Sequence, residues 1–518
     1  MRAIRRISDA LARRPEIVLW LIAAYYVLAV ALRMLRSEAL NSDEAEQLVQ
    51  SQFFLMGYGR QPPFYNWLQY GIIQLTGPSI FALSLVKNLL LFLCCAVYGL
   101  AARLVLKDRR LVAVAILGVI AVPAVSVMAQ RDLTHAIATL FAVAFFLYAF
   151  LQTLIRPSLG FYLLTGLAVG IGLIAKYNFV IVPVAAILAI LPEPELRKRI
   201  FDWRIIPALA VTAALCLPHG LWLLGNLAEA TDGTIKAMRE DASGNPILDR
   251  LSGLGTLAVA ILSGTLPVLA FFLIAFRRSL VEARTAASEW TRVIGRMLLL
   301  CLVAVGLIGL GFGATTISEK WLSPFLILLP LYLCLKLGSA GADSSRSVAR
   351  MLFPVAALAL GFIAYMALGN VIGPRLGQYN KENLPSGPFL REVLAERADT
   401  NPAYVIAADP FLGGSARIEL PSARILWPRF GQTPLLDTIE RGQVGLIVWR
   451  ENGNGMPDGL SAYLQENGID AERLATATKA VPYLFSGGRD TVTFGFAWTV
   501  GDAGTPRTGN RPRSGMKN

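Results

Sequence analysis

The chain of 518 residues carries 48 Lys and Arg against 35 Asp and Glu, a formal charge of +13, yet only 16% of its residues are charged and 55% are hydrophobic. A soluble protein is about 25% charged, so the charge is too sparse to cover a soluble globule of this length, and the apolar excess excludes general disorder. Cys94, Cys95, Cys216, Cys301 and Cys334 all lie in apolar runs without CxxC or His spacing, so neither a zinc site nor a disulfide framework is supported.

A bilayer core about 30 Å thick needs roughly 20 apolar residues in helix. Apolar runs at 17–35, 81–102, 111–129, 136–154, 160–175, 177–192, 205–225, 251–276, 297–313, 321–337 and 351–370 predict an α-helical polytopic membrane protein with about eleven transmembrane helices. The runs at 160–175 and 177–192 are short and read equally as one kinked helix broken at Lys176-Tyr177-Asn178. The first run is long, lacks a small-residue cleavage site and precedes many others, so it reads as a span and not a cleaved signal peptide. Pro123, Pro183, Pro218 and Pro267 predict kinks.

With the N-terminus placed inside, the inner loops hold 22 Lys and Arg and the outer segments up to residue 370 hold 8. That bias predicts a cytoplasmic N-terminus, and eleven spans put everything after residue 370 outside. The positive charge then faces anionic inner-leaflet lipids and is no nucleic-acid footprint, which would need a clustered basic face on a soluble domain. Residues 371–500 lose the long apolar runs. Short apolar runs at Tyr404–Ala407, Val444–Trp449 and Thr491–Val500, flanked by turn residues such as Gly413-Gly414, read as strands, and Leu390–Ala398 and Leu460–Glu466 read as helices. They predict a small soluble α/β domain, 371–500, on the outer face after a transmembrane domain of 1–370, with 501–518 as a disordered polar tail. No internal repeat is visible, which weighs against transporters built on inverted repeats.

The first outer loop, 36–80, is long for a connection between spans. Ser42 reads as an N-cap with Asp43 and Glu44 in the first turn. Leu48, Phe53, Leu55 and Met56 continue that helix until Gly57 and Gly59 end it. Pro62-Pro63 opens a second helix, in which Phe64, Trp67, Leu68, Tyr70 and Ile72 suit the membrane interface. Asp43 and Glu44 read either as capping acids or as a catalytic carboxylate held where the membrane meets the outside.

Asp43-Glu44-Ala45, Gly57-Tyr58, Pro62-Pro63-Phe64 and Trp67-Leu68 together resemble the first external loop of the membrane-embedded GT-C glycosyltransferases. The resemblance is to the family 39/83-like set with an RgtA/B/C/D-like domain. That set includes the lipid A aminoarabinose transferase and the rhizobial lipopolysaccharide galacturonosyltransferases, in one superfamily with the protein mannosyltransferases. Gln61 stands where many members have His. Lys87, Arg131-Asp132, Ala175-Lys176-Tyr177 and Glu319-Lys320-Trp321-Leu322-Ser323-Pro324 resemble later family segments, so the resemblance covers about residues 1–370.

The resemblance implies transfer of a hexosyl or pentosyl group from a polyprenyl-phosphate donor to a cell-envelope acceptor such as lipid A or lipopolysaccharide, at the outer face of the membrane. Such a reaction needs a base for the acceptor hydroxyl, cations for the leaving phosphate and an apolar groove for the lipid. A carboxylate opposite the leaving group suits the base. Asp43 takes that role by its place in the motif, with Glu44 second and Asp132 third. Arg60, Lys320, Arg131, Lys87 and Lys176 are the candidates for the phosphate, although each also reads as an interface anchor. Tyr65, Trp67 and His135 are candidates to line the substrate cavity, while His219, inside a span, reads as structural. The sequence requires no cofactor, names no metal ligand and leaves divalent-metal dependence open. The implied partners are the lipid-linked donor, a lipid or glycolipid acceptor and membrane lipids, without nucleic acid. The alternatives are a protein O-mannosyltransferase-like enzyme and, in another class, a polytopic transporter or lipid flippase.

Overall fold

The computed structural model describes residues 9–11, 13–428 and 443–499. The expected tail, 501–518, lies outside the described residues. Among them, eight helices are long and apolar enough to cross a membrane: Ile17–Arg36, Ile80–Val105, His135–Ile155, Ile205–Gly225, Pro246–Phe276, Glu289–Phe312, Glu319–Ser339 and Ser347–Leu376. A ninth arises if Arg109–Ala121 and Ala124–Asp132, bent by 63°, are one span. Pro123 stands at that bend and a π-helical stretch, Ala124–Met128, follows it. The proline ring clashes with the preceding turn and removes a helical hydrogen bond. The two remaining expected spans are the shorter apolar helices Leu159–Ala175 and Tyr177–Ile190. The chain breaks between them because Lys176 is extended, with φ −163° and ψ 138°. Neither half reaches the length a bilayer core demands.

The chain divides into two compact units, one of Met1–Ala31, Leu55–Tyr65 and Leu85–Tyr365 and the other of Leu32–Phe54, Asn66–Ser84 and Met366–Asn518. The sequence reading kept the whole loop 36–80 with the membrane spans, whereas the two units share it between them.

In the first unit, helix Leu159–Ala175 approaches Ile205–Gly225 closely. A Cβ on Gly166 would lie 2.2 Å from the Ala208 carbonyl oxygen, and the Thr212 hydroxyl donates to the Gly166 carbonyl at 2.8 Å. Small residues that let backbones meet are the usual means of helix association in lipid. Between Glu319–Leu326 and Leu328–Ser339, the Tyr98 hydroxyl donates to the Ile327 carbonyl at 2.7 Å and accepts from the Leu331 amide at 2.9 Å. It thereby bridges a rung that a continuous helix would close by itself. Just after helix Tyr177–Ile190, Glu193 accepts from Arg292 at 2.8 Å through both oxygens and from Arg296 at 3.0 Å, both in the first two turns of Glu289–Phe312. These guanidinium hydrogen bonds hold its carboxyl down at about 2.

The second unit contains a five-stranded sheet: β1 Tyr404–Ala407, β2 Arg424–Leu426, β3 Gly445–Arg450, β4 Thr476–Pro482 and β5 Thr491–Thr499, in the order β2-β1-β3-β5-β4. β2, β1 and β3 are parallel, and β5 then runs antiparallel to both β3 and β4. β1 and most of β3 are buried, as central parallel strands with near-continuous apolar runs must be. β4 is a mostly exposed edge carrying Lys479 and Pro482, residues that discourage further pairing. The core gathers Ile406, Leu426, Ile447, Trp449, Leu460 and Leu464.

Gly413-Gly414, expected in a turn, lie instead inside helix Pro410–Glu419. A Cβ on Gly414 would meet Leu40 at 2.7 Å and the Ala45 backbone at 3.0 Å, and one on Gly413 would meet Val49 at 3.0 Å. The glycines serve close packing against helix Ser42–Gln50. Leu40, Ala45 and Leu48 form a buried cluster there with Ile73, Ala82 and Leu83, joined by Phe411 and Ile418. The Gln52 side chain pairs with β2, accepting from the Ile425 amide at 2.9 Å and donating to its carbonyl at 3.1 Å.

Candidate active site

Helix Ser42–Gln50 begins at Asn41, one residue before the expected N-cap, and ends at Gln50, well before Gly57. Glu44 reaches back to accept from the Asn41 amide at 3.1 Å, the second half of a capping box. The same carboxylate takes both arms of Arg33, Nε at 3.0 Å and Nη2 at 2.6 Å. Arg33 also donates to the carbonyls of Ser37 and Ala39, each at 2.8 Å. The side chains of the pair are 4% and 6% exposed, so Glu44 is committed to holding the loop. Asp43, next to it, is only partly buried in the first turn, where the aligned amides favour negative charge.

Glu382 completes this support in the same unit. It accepts from Arg36, from Asn41 Nδ2 at 2.6 Å and from Asn370, and its carbonyl accepts from Ser37 Oγ at 2.6 Å. Sequence reasoning missed it. Its only signal was an acid in an otherwise ordinary Lys-Glu-Asn turn far along the chain. Trp67 lies in this unit as well, its ring stacked on Phe54 at 5.1 Å, with Tyr70 at 5.7 Å from Phe54.

A second set of candidates lies within the first unit. The Tyr65 ring packs on His135 at 5.6 Å, and the charge of Lys176 acts on His135. Lys87 is 4% exposed in helix Ile80–Val105, eight positions into the helix and not at its end. Its neighbour Asn88 accepts from Gln130 at 3.0 Å, which leads directly into Arg131-Asp132 at the end of helix Ala129–Asp132. Tyr65, His135 and Lys176 are thus neighbours, and the Asn88–Gln130 hydrogen bond joins the helix that carries Lys87 to the one that carries Arg131-Asp132. Arg60 and Lys320 are exposed on other elements, Lys320 in the first turn of Glu319–Leu326. Arg60 sits at the tip of a tight turn closed by Tyr58 and Gln61, with Gly59 at φ +62°.

That turn is docked by residues the sequence reading undervalued. His219 Nδ1 lies 2.7 Å from the Met56 carbonyl and its Nε2 lies 3.2 Å from the Tyr177 hydroxyl. The imidazole is stacked between Tyr177 and Trp222 at 5.8 and 5.6 Å. His219 is thus structural in a specific way, because it ties the first loop to the break after Lys176. A Cβ on Gly57 would fall 2.2 Å from the Trp222 ring. Gly57→Val should therefore displace the turn and lower transfer activity about tenfold or more, as small misplacements near a site do. Activity assays paired with thermal unfolding check this, and an unchanged rate would refute it.

Residues 60–222 match the family model for dolichyl-phosphate-mannose-protein mannosyltransferases. The lipopolysaccharide core galacturonosyltransferase RgtA of Rhizobium johnstonii is 42% identical over 492 residues, which span 92% of this chain and 96% of that protein. The chain belongs to this family of GT-C glycosyltransferases. The lipopolysaccharide core galacturonosyltransferase RgtB of the same organism is 41% identical over 486 residues, again 92% of this chain and 96% of the relative. The fold is shared with ArnT from Cupriavidus metallidurans in the apo state, with a TM-score of 0.59 at 15% identity over 96% of this chain and 100% of that one. With ArnT bound to undecaprenyl phosphate the TM-score is 0.57 at 13% identity over 94% and 99%. The protein is accordingly a membrane glycosyltransferase, and the transporter alternative falls away.

Proposed function

We propose that the protein transfers a galacturonosyl residue from a polyprenyl-phosphate donor to the lipopolysaccharide core at the outer face of the bacterial inner membrane, with its N-terminus cytoplasmic. The observation that carries this reading is the near full-length similarity to two lipopolysaccharide core galacturonosyltransferases. The undecaprenyl phosphate held by one fold neighbour supports a lipid-linked donor. In the proposed step an acceptor hydroxyl attacks the anomeric carbon and the bond from that carbon to the phosphate oxygen breaks. Polyprenyl phosphate leaves, and the hydroxyl proton passes to the Asp43 carboxylate. Lys87, Lys176 and Arg131 meet the phosphate charge through charge-assisted hydrogen bonds. Arg60 and Lys320 are the further candidates for that task, Asp132 steers the acceptor, and Tyr65 and His135 line the cavity.

The test is mass spectrometry of envelope glycolipids from cells with and without the protein. The expected result is loss of the mass of one uronic acid residue from the lipopolysaccharide core. An unchanged core profile refutes the reading. Loss of hexose from proteins instead would favour protein-directed mannosyl transfer, the activity named in the description of the matching family model.

A further inference from the structure

The sheet of the second unit contains a second candidate binding site. From β1 the chain passes through helix Pro410–Glu419 to β2 on one side, then returns to pair β3 with the other side of β1. The strands stay parallel but the order of connection switches from one side of β1 to the other, so a crevice opens at the carboxyl ends of β1 and β3. Open α/β sheets bind their ligands in such crevices. A cavity of about 440 Å³ lies there. Its polar lining comes from Asp409 just after β1, from Arg450 at the end of β3, and from Asn452 in the loop that follows. Phe411 and Leu460 supply apolar walls.

Asp409 and Arg450 face each other across this crevice, and the guanidinium keeps a donor to spare. Arg450 Nε is buried without a hydrogen-bond partner among the described residues. The adjacent Glu451 turns to its own loop, accepting from the Gly453 and Gly455 amides at 2.8 and 3.0 Å and from Trp449 Nε1 at 3.2 Å. Gly453 and Gly455 adopt φ +89° and +73° to close that loop, which fixes Asn452 beside the cavity. Asp409 accepts from the Leu412 amide at 2.9 Å as the helix cap. Its burial pushes its carboxyl above the usual carboxylate range against the opposing pull of Arg450. A guanidinium with an open donor selects an anion. A carboxylate and an amide beside it suit hydroxyl groups, and an apolar wall suits the flat face of a sugar ring.

We infer that this crevice binds a carboxylate-bearing saccharide, with Arg450 on the acid group, Asn452 and Asp409 on ring hydroxyls, and Phe411 and Leu460 against the ring face. The site is separate from the transfer chemistry and does not depend on the proposed donor. Phe411 also packs into the cluster of Leu40, Ala45 and Leu48, so an occupant would lie beside the element that carries Asp43.

The test is saturation-transfer NMR on the full-length protein in nanodiscs, with D-galacturonate, D-galactose and inorganic phosphate as separate probes. Galacturonate should bind, and galactose and phosphate should each bind more weakly. Arg450→Gln should weaken galacturonate binding about tenfold or more, the value of a charge-assisted hydrogen bond, with the unfolding midpoint unchanged. Should that variant unfold, Asn452→Ala carries the test with an expected loss of about threefold. Equal binding of galactose or of phosphate, or galacturonate binding that survives these substitutions, overturns the inference.

Discussion

Asp43→Asn should lower sugar transfer by about 10²–10⁴-fold, the usual contribution of a positioned general base, while leaving the folded protein intact. Asn is nearly isosteric and keeps a side-chain oxygen, so the first turn of Ser42–Gln50 loses charge but not shape. Asp43 is partly exposed and its neighbour Glu44 already satisfies the capping box, so little stability is at stake. Donor affinity should change little, because the substitution removes the proposed proton acceptor and not a proposed phosphate ligand. The decisive measurement is kcat with purified lipid-linked donor, alongside the thermal midpoint. Wild-type turnover by Asp43→Asn would remove Asp43 from the chemistry and pass the role to Asp132.

Arg33→Met should behave in the opposite manner and lower the stability of the second unit by about 3–5 kcal/mol, the cost of leaving a buried charge without its partner. Glu44 would keep its carboxylate at 6% exposure without the two guanidinium donors that it now accepts from. Two carbonyls, those of Ser37 and Ala39, would also lose their donor. Adding Glu44→Leu to Arg33→Met should restore much of the loss, since an apolar pair replaces a buried ion pair at small net cost. Denaturant unfolding of the two single variants and the double variant gives the coupling energy. Additive effects would show that the pair does not act as a unit.

These two predictions separate neighbours that the sequence could not separate. Asp43 and Glu44 are adjacent acids in one motif, and either suits a base or a cap. Only the partners distinguish them, and those partners are side chains elsewhere in the chain. Arg33 lies near the end of the first apolar run and Glu382 in a polar turn far along the chain, and nothing in their spacing ties either to the first loop. The spans were legible because lipid demands long apolar helices, and β1 and β3 were legible because buried strands read as apolar runs. β2 and β4 were not, being three residues long in one case and mostly exposed in the other. The helical role of Gly413-Gly414 was also hidden, because glycine pairs signal turns unless the element packed on them is known. His219 was visible as a polar residue within a span, but its double tether to Met56 and Tyr177 depends on a break at Lys176 that periodicity only suggested.

The second unit is assembled from segments far apart in the chain: the Gln52 side chain pairs with a strand residue 373 positions later. On a ribosome, helix Ser42–Gln50 therefore emerges long before helix Pro410–Glu419, against which its glycine-matched face packs. Through most of synthesis Leu40, Ala45 and Leu48 lack their final cover, and closure of so long a loop is slow. The loop that carries the proposed base thus gains its finished shape only once translation has nearly ended.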